Sequence, residues 1–198
     1  MALSKIDAAN FLTGTIPQGN VANASLGAVT ALPAGVGGKV LQVVSTTKTD
    51  VFSLSGTTTK TDVTGLSVSI TPSSTSNKIL ITGFVGCGTS PASQQIFIHL
   101  LRGSTEIALG DSASTRRRAH SSAVGNNDSN NLSTWVLTPV PFTTLDTPNT
   151  TSATTYKIQI SGATTNSVMY IHRSIRDYDG SYYDGRIVST ITAYEIAG

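Results

Sequence analysis

Three histidines, His99, His120 and His172, and the carboxylates Asp111, Asp128, Asp146, Asp177, Asp179 and Asp184 are the residues whose types could carry acid–base or metal chemistry. Nucleophilic hydrolysis needs a nucleophile, a base and a group that orients the base, and glycoside hydrolysis needs two facing carboxylates. The spacing supplies neither set. The histidines are scattered, no serine sits in a G-x-S-x-G turn, and the aspartates fall mostly where Asp is favoured for backbone reasons. His99 alternates within Gln95–Leu101 and reads as a strand residue packed or hydrogen-bonded in place. Asp177-Tyr178-Asp179-Gly180 opens like a calcium loop, but Val188 occupies the position of the closing bidentate carboxylate. A polar turn is the stronger reading there and cation binding the weaker. No catalytic residue, metal or cofactor is expected.

Two clusters suit binding instead. Arg116-Arg117-Arg118 is the one basic run; it is either a solvated loop segment or a contact for an anionic partner, such as an acidic capsid surface or envelope phosphates. Tyr178, Tyr182 and Tyr183 are amphipathic aromatics in a loop, which suit contact with sugars or proteins, or else cap the fold or line a subunit interface. The single cysteine, Cys87, lies in the apolar Phe84–Gly88 stretch and reads as a small buried hydrophobe, so no intrachain disulfide forms.

The elements that must position these residues are strands. Lys39–Thr46 is a β-branched run, and Leu66–Thr71 alternates apolar residues with hydroxyls before a turn at Pro72–Asn77. Strands follow at Lys78–Cys87 and Gln95–Arg102, the latter returning through Gly103-Ser104-Thr105 into Glu106–Leu109 as a hairpin. Trp135–Thr138, Tyr156–Ser161, Val168–His172 and Ile187–Ile196 complete the set. Pro139 and Pro141 predict a sheet edge. Residues 111–131 and Arg173–Gly185 lack periodicity and predict long exposed loops. About eight short strands and no helical stripe predict an all-β fold, an antiparallel β-sandwich of the jelly-roll kind.

Composition agrees. Of 198 residues only 12% are charged, about half the usual share, and Ser and Thr fill the polar positions instead. The net charge of +2 is too mild for the dense basic stripe of a nucleic-acid binder. No apolar run reaches the length of a transmembrane helix, so membrane insertion is not expected. Met1–Lys5 lacks the apolar core of a signal peptide, and release by cell lysis, as for a virus, fits an external role without secretion.

Near the start a different order appears. Ile6, Phe11, Ile16, Val21 and Leu26 succeed one another every five positions, each two places after a small residue. That step matches neither the helical period of about 3.6 nor the strand period of about 2. Five units cannot bury a core alone, so residues 1–37 predict an extended attachment arm that orders against a partner. Residues 38–198 predict the globular domain.

Within that domain Gly38–Ser45, Asp62–Pro72 and Ser76–Ile81, with the closing Thr151–Tyr156 and Ser189–Ile196, resemble a β-rich module of tailed-bacteriophage fibre proteins. Leu3–Thr15 is similar to the repeat-like leaders of such fibres. The resemblance implies a trimeric, non-enzymatic protein on the exterior of the virion. Its arm would grip other virion proteins of the capsid or tail, and its loops would touch a host surface glycan. The chain shows no long shaft and no large tail-attachment domain, which brings forward an alternative, a capsid decoration protein. An envelope-glycan depolymerase is the third reading and lacks a carboxylate pair.

Overall fold

Alternation between β-branched or apolar residues and hydroxyl residues builds the strands, because a pleated strand sends successive side chains to opposite faces. The computed structural model describes residues 39–90, 95–124, 134–166 and 168–198. The expected arm, with Ile6, Phe11, Ile16, Val21 and Leu26, lies outside the described residues, as does Asp128. Among the described residues the elements are β1 (Val40–Lys48), β2 (Phe52–Ser55), β3 (Thr61–Ile70), β4 (Lys78–Ser90), β5 (Gln95–Arg102), β6 (Thr105–Ile107), β7 (Ser121–Val124), β8 (Thr138–Asp146), β9 (Thr154–Gly162), β10 (Val168–Ile171) and β11 (Ser189–Ile196).

These strands form two antiparallel sheets. Sheet A holds β1, β11, β4 and β8 side by side, with β10 and β2 extending it at one end; sheet B holds β3, β9, β5 and then β6 and β7. Setting aside the short β2, β6 and β10, the remaining eight strands, counted in chain order, run 1-8-3-6 in sheet A and 2-7-4-5 in sheet B. That is the jelly-roll winding, so the expected all-β sandwich is the observed one.

The long strand β4 organises sheet A. One edge pairs with β8 from Ile79 to Cys87, while the other pairs first with β11 over Lys78–Phe84 and then with β10 over Cys87–Ser90. Between the two tandem partners, Gly86 takes an N–H from His172 (2.9 Å) on its carbonyl and donates its own N–H to Ser189 Oγ (2.9 Å). The side chain thus fills the gap in the ladder, as a buried backbone group requires.

The core lies between the sheets, where Leu66, Val68 and Ile70 of β3, Ile79, Ile81 and Val85 of β4, Ile96, Ile98 and Leu100 of β5 and Ile158 and Ile160 of β9 interdigitate. Cys87 is buried there, and burial pushes its thiol pKa up to about 12, so it behaves as an inert apolar residue. Two buried polar clusters tie the ends. Asp146 of β8 accepts from Arg102 of β5 (2.9 Å) and from the Tyr156 hydroxyl of β9 (2.7 Å), which bridges sheet A to sheet B. Glu195 Oε1 accepts from Ser73 N (2.6 Å), Ser73 Oγ (2.7 Å) and Asn77 Nδ2 (2.6 Å), which fixes the β3–β4 turn.

The structure departs from the sequence reading in three places. Strand β7 forms inside the segment expected to be one long loop, and β2 was not anticipated; each has four residues and borrows its order from a neighbour, β5 or β10. Trp135 precedes β8 instead of opening a strand, because the ladder with β4 begins at Thr138. The prolines are placed as expected: β8 pairs with β4 alone and forms an edge.

Candidate functional site

Each sheet carries a long loop over its outer face. On sheet B, Ile98, Leu100, Ile158 and Ile160 point into the core, so His99 and Ser161 point outward by alternation. Both are nonetheless buried, His99 at 1% exposure, in the cavity formed with the β6–β7 loop. That loop is pinned by Gly110 N to Ala119 O (3.3 Å), Arg116 N to Ala113 O (3.0 Å) and His120 N to Ile98 O (2.9 Å). Ala108 (φ 52°) and Ser114 (φ 48°) turn it through the left-handed region, which costs about 1 kcal/mol each.

Between loop and sheet lies a cavity of about 330 Å³. Lys60, Arg116, Arg117 and Arg118 line it, with Glu106 as the single carboxylate. Arg118 Nε donates to Gly110 O (2.7 Å) and Arg117 to Ala163 O (3.3 Å), while the Arg116 guanidinium has no partner among the described residues. Glu106 Oε2 takes the Lys60 ammonium at 2.5 Å. At the floor His99 Nε2 meets Ser161 Oγ (3.0 Å), and its Nδ1 lies 2.7 Å from Glu106 Oε1. Neither of those last two atoms makes an aligned hydrogen bond. Burial holds the His99 pKa below its ordinary value, the nearby Glu106 charge pulls it up, and Lys60 adds to the lowering. The basic run therefore lines a built pocket. His99 is the buried, hydrogen-bonded strand residue expected from the sequence, whereas Lys60, Glu106 and Ser161 carried no signal that they would join it, because they come from separate elements.

On sheet A the β10–β11 loop packs across the even-numbered face of β4. A Cβ at Gly86 would overlap Ile187, and one at Gly88 would overlap the Arg173 carbonyl, so both glycines are needed for the close approach. The loop is knit by charge. Asp177 is held by Arg186 (2.7 Å) and Arg173 (3.2 Å), and Asp184 by Arg176 (2.5 Å) and Ser174 Oγ (2.5 Å). The Arg176 hydrogen bond, then that of Ser174, keeps the Asp184 carboxyl below the usual range. Asp177, the first residue of the calcium-like run, is thus already neutralised by two guanidiniums. No group of three or more metal-ligating side chains exists among the described residues.

The three tyrosines sit on this frame with different roles. Tyr183 stacks on Trp135 (5.3 Å, 28°), and the Arg176 guanidinium lies 4.9 Å from the same indole ring. The Tyr178 ring covers Gly180. Tyr182 makes no ring contact and stands fully in solvent. The Trp135–Arg176 component was missed in sequence because the tryptophan is some forty positions upstream.

A serine–histidine pair that sequence spacing did not reveal lies at the β10–β11 junction. His172 Nδ1 is 2.8 Å from the Asp50 carbonyl, and Nε2 is 2.6 Å from Ser189 Oγ. A carbonyl only accepts, so Nδ1 carries the proton and Ser189 donates to Nε2 while accepting from Gly86 N. Burial keeps the imidazole pKa low, opposed by the Asp50 carbonyl bond. The two side chains are 1% and 0% exposed, so no substrate reaches them and their role is to close the ladder. His172 itself has φ 72°, a strain this network stabilises.

Beyond the β10–β11 loop, the outer face of sheet A is exposed at Val43, Ser45, Thr47, Pro141, Thr143 and Leu145 and half-exposed between them. Three cross-strand rows run over β1, β11, β4 and β8: Val43, Tyr194, Leu80 and Leu145; Ser45, Thr192, Thr82 and Thr143; Thr47, Thr190, Phe84 and Pro141. None of these twelve residues is charged, and the exposed Lys78 stands at the end of the same β4 face. Val43 and Leu145 are 55% and 53% exposed.

No protein-family model matches the chain, and no curated protein is similar to it. Among solved structures, it is similar to the VP2 subviral particle of infectious bursal disease virus at 14% identity and a TM-score of 0.36, over 79% of this chain. The match spans 41% of that chain. The architecture of the present chain rests on its own strand pairings.

Proposed function

We propose that the protein is a structural, non-enzymatic component of the exterior of a tailed-phage virion, with a jelly-roll unit that assembles as a trimer. The observation that carries this reading is the set of three uncharged rows across the outer face of sheet A, with Lys78 at their margin. Charged residues are depleted at the centres of protein interfaces, and a sheet face with apolar and hydroxyl rows is inexpensive to desolvate. The occupant is a second copy of this chain. Three uncharged rows offer a charged partner little to complement, whereas three copies can turn this same face toward a shared threefold axis. Beside it β1 pairs with β11 alone among the described residues, with Val40 and Leu41 exposed on it, and self-association would also cover that edge. The resemblance to fibre modules points the same way. The burial of the Ser189–His172 pair supports the non-enzymatic part.

Sedimentation of the full chain tests this. The expected species has about three times the 20.5 kDa chain mass, and Leu145→Lys or Val43→Lys shifts it to the single chain with the strand signal intact. A wild-type chain that sediments alone at micromolar concentration overturns the assembly. Copies per virion then separate the finer readings: a few trimers for a tail-fibre knob contacting host glycan, hundreds for capsid decoration.

A further inference from the structure

The geometry points to a second function on the opposite sheet: the cavity beneath the β6–β7 loop is a binding site for a tetrahedral oxyanion of the phosphate class. This does not depend on the assembly reading, because it concerns sheet B.

Four cationic side chains converge on about 330 Å³ against one carboxylate, and Lys60 already neutralises that carboxylate. The three arginines are exposed at the rim, so they raise the positive potential at the mouth of the cavity and draw an anion there most strongly at low salt. The arrangement is fixed in advance. Arg117 and Arg118 are each tied to a main-chain carbonyl yet keep further N–H groups, and Arg116 is uncommitted among the described residues. A rigid guanidinium fork suits the oxygens of phosphate better than a lone ammonium does.

The second observation lies at the floor. His99 is almost wholly buried, and its Nδ1 lies 2.7 Å from Glu106 Oε1, so the single carboxylate is engaged from two sides, by Lys60 and by the imidazole. A carboxylate already engaged by two groups opposes an incoming anion less than a free one does. The volume admits one phosphate with part of a sugar, which leaves two sources for the same chemistry: free phosphate or a phosphorylated glycan.

Calorimetric titration of the full chain at low ionic strength decides it, with inorganic phosphate in one arm and glucose 6-phosphate in the other. Saturable binding in either arm, weakened at least tenfold by Arg116→Gln, supports the site. Arg116 makes no side-chain hydrogen bond or ion pair among the described residues, so this variant is expected to keep the fold, which an unchanged melting temperature checks. Glucose 6-phosphate binding at least tenfold tighter than phosphate identifies a phosphorylated sugar as the source, and equal affinities identify the bare anion. No saturable heat in either arm, or equal binding by wild type and Arg116→Gln, overturns the proposal.

Discussion

Glu195 shows how one residue can hold a turn. Burial pushes its pKa up and is the largest single influence, yet the hydrogen bonds from Ser73 and Asn77 together outweigh it and leave the folded value below 4.5. The sign follows directly. The folded state binds the proton less tightly than the unfolded chain, so the contribution is complete above the unfolded value and is lost as pH falls through the folded one. Glu195→Gln can keep an amide oxygen against the same three donors but removes the charge that strengthens those bonds, and should cost about 1 kcal/mol at neutral pH. In urea titrations the gap between wild type and Glu195→Gln should narrow steadily as pH falls through the acid range in which the folded carboxyl takes up its proton. A gap independent of pH contradicts the assignment. Part of this was legible: the Pro72–Asn77 turn could be read from its residue types, but not the distant carboxylate that closes it.

Among the elements, the β10–β11 loop depends on β4 as much as on its own ion pairs. Gly88→Ala would drive a methyl group into the Arg173 carbonyl, and backbone cannot yield as a flexible side chain does. The expected cost is about 1–3 kcal/mol. Because Trp135 is the only tryptophan and stacks on Tyr183 of this loop, its emission should shift in the variant. Unchanged emission and stability would show that the loop does not lean on β4. The sequence displayed both glycines inside an apolar strand, but not that a loop some ninety positions later lies against them. The β6–β7 loop teaches the same lesson. Its arginines announce charge, and the cavity exists only because β5 and β9 present His99 and Ser161 beneath them.

For the molecule as a whole, Asp146 makes the two sheets depend on each other. Asp146→Ala strips the partner from the half-buried Arg102 and the buried Tyr156 hydroxyl, with an expected loss of about 2–4 kcal/mol. Thermal unfolding should stay a single transition at a lower midpoint, since one core serves both sheets. Two separated transitions would mean that the sheets fold independently. The same scale governs assembly, because the uncharged rows appear only when four strands far apart in sequence align in register.

By itself the sequence determined the strands and the class. Period-two alternation and β-branched hydroxyl residues are local properties of the chain, and Leu66–Ile70, Tyr156–Ile160 and Ser189–Ile196 are strands for that reason. It also marked Arg116–Arg118 and the tyrosines as chemically distinct. Tertiary structure alone decided which faces meet. The jelly-roll order, the cavity at His99, the Ser189–His172 closure and the uncharged rows of sheet A all arise from contacts between residues tens of positions apart. Local alternation tells which residues share a face of one strand; only the pairing of strands tells what that face meets.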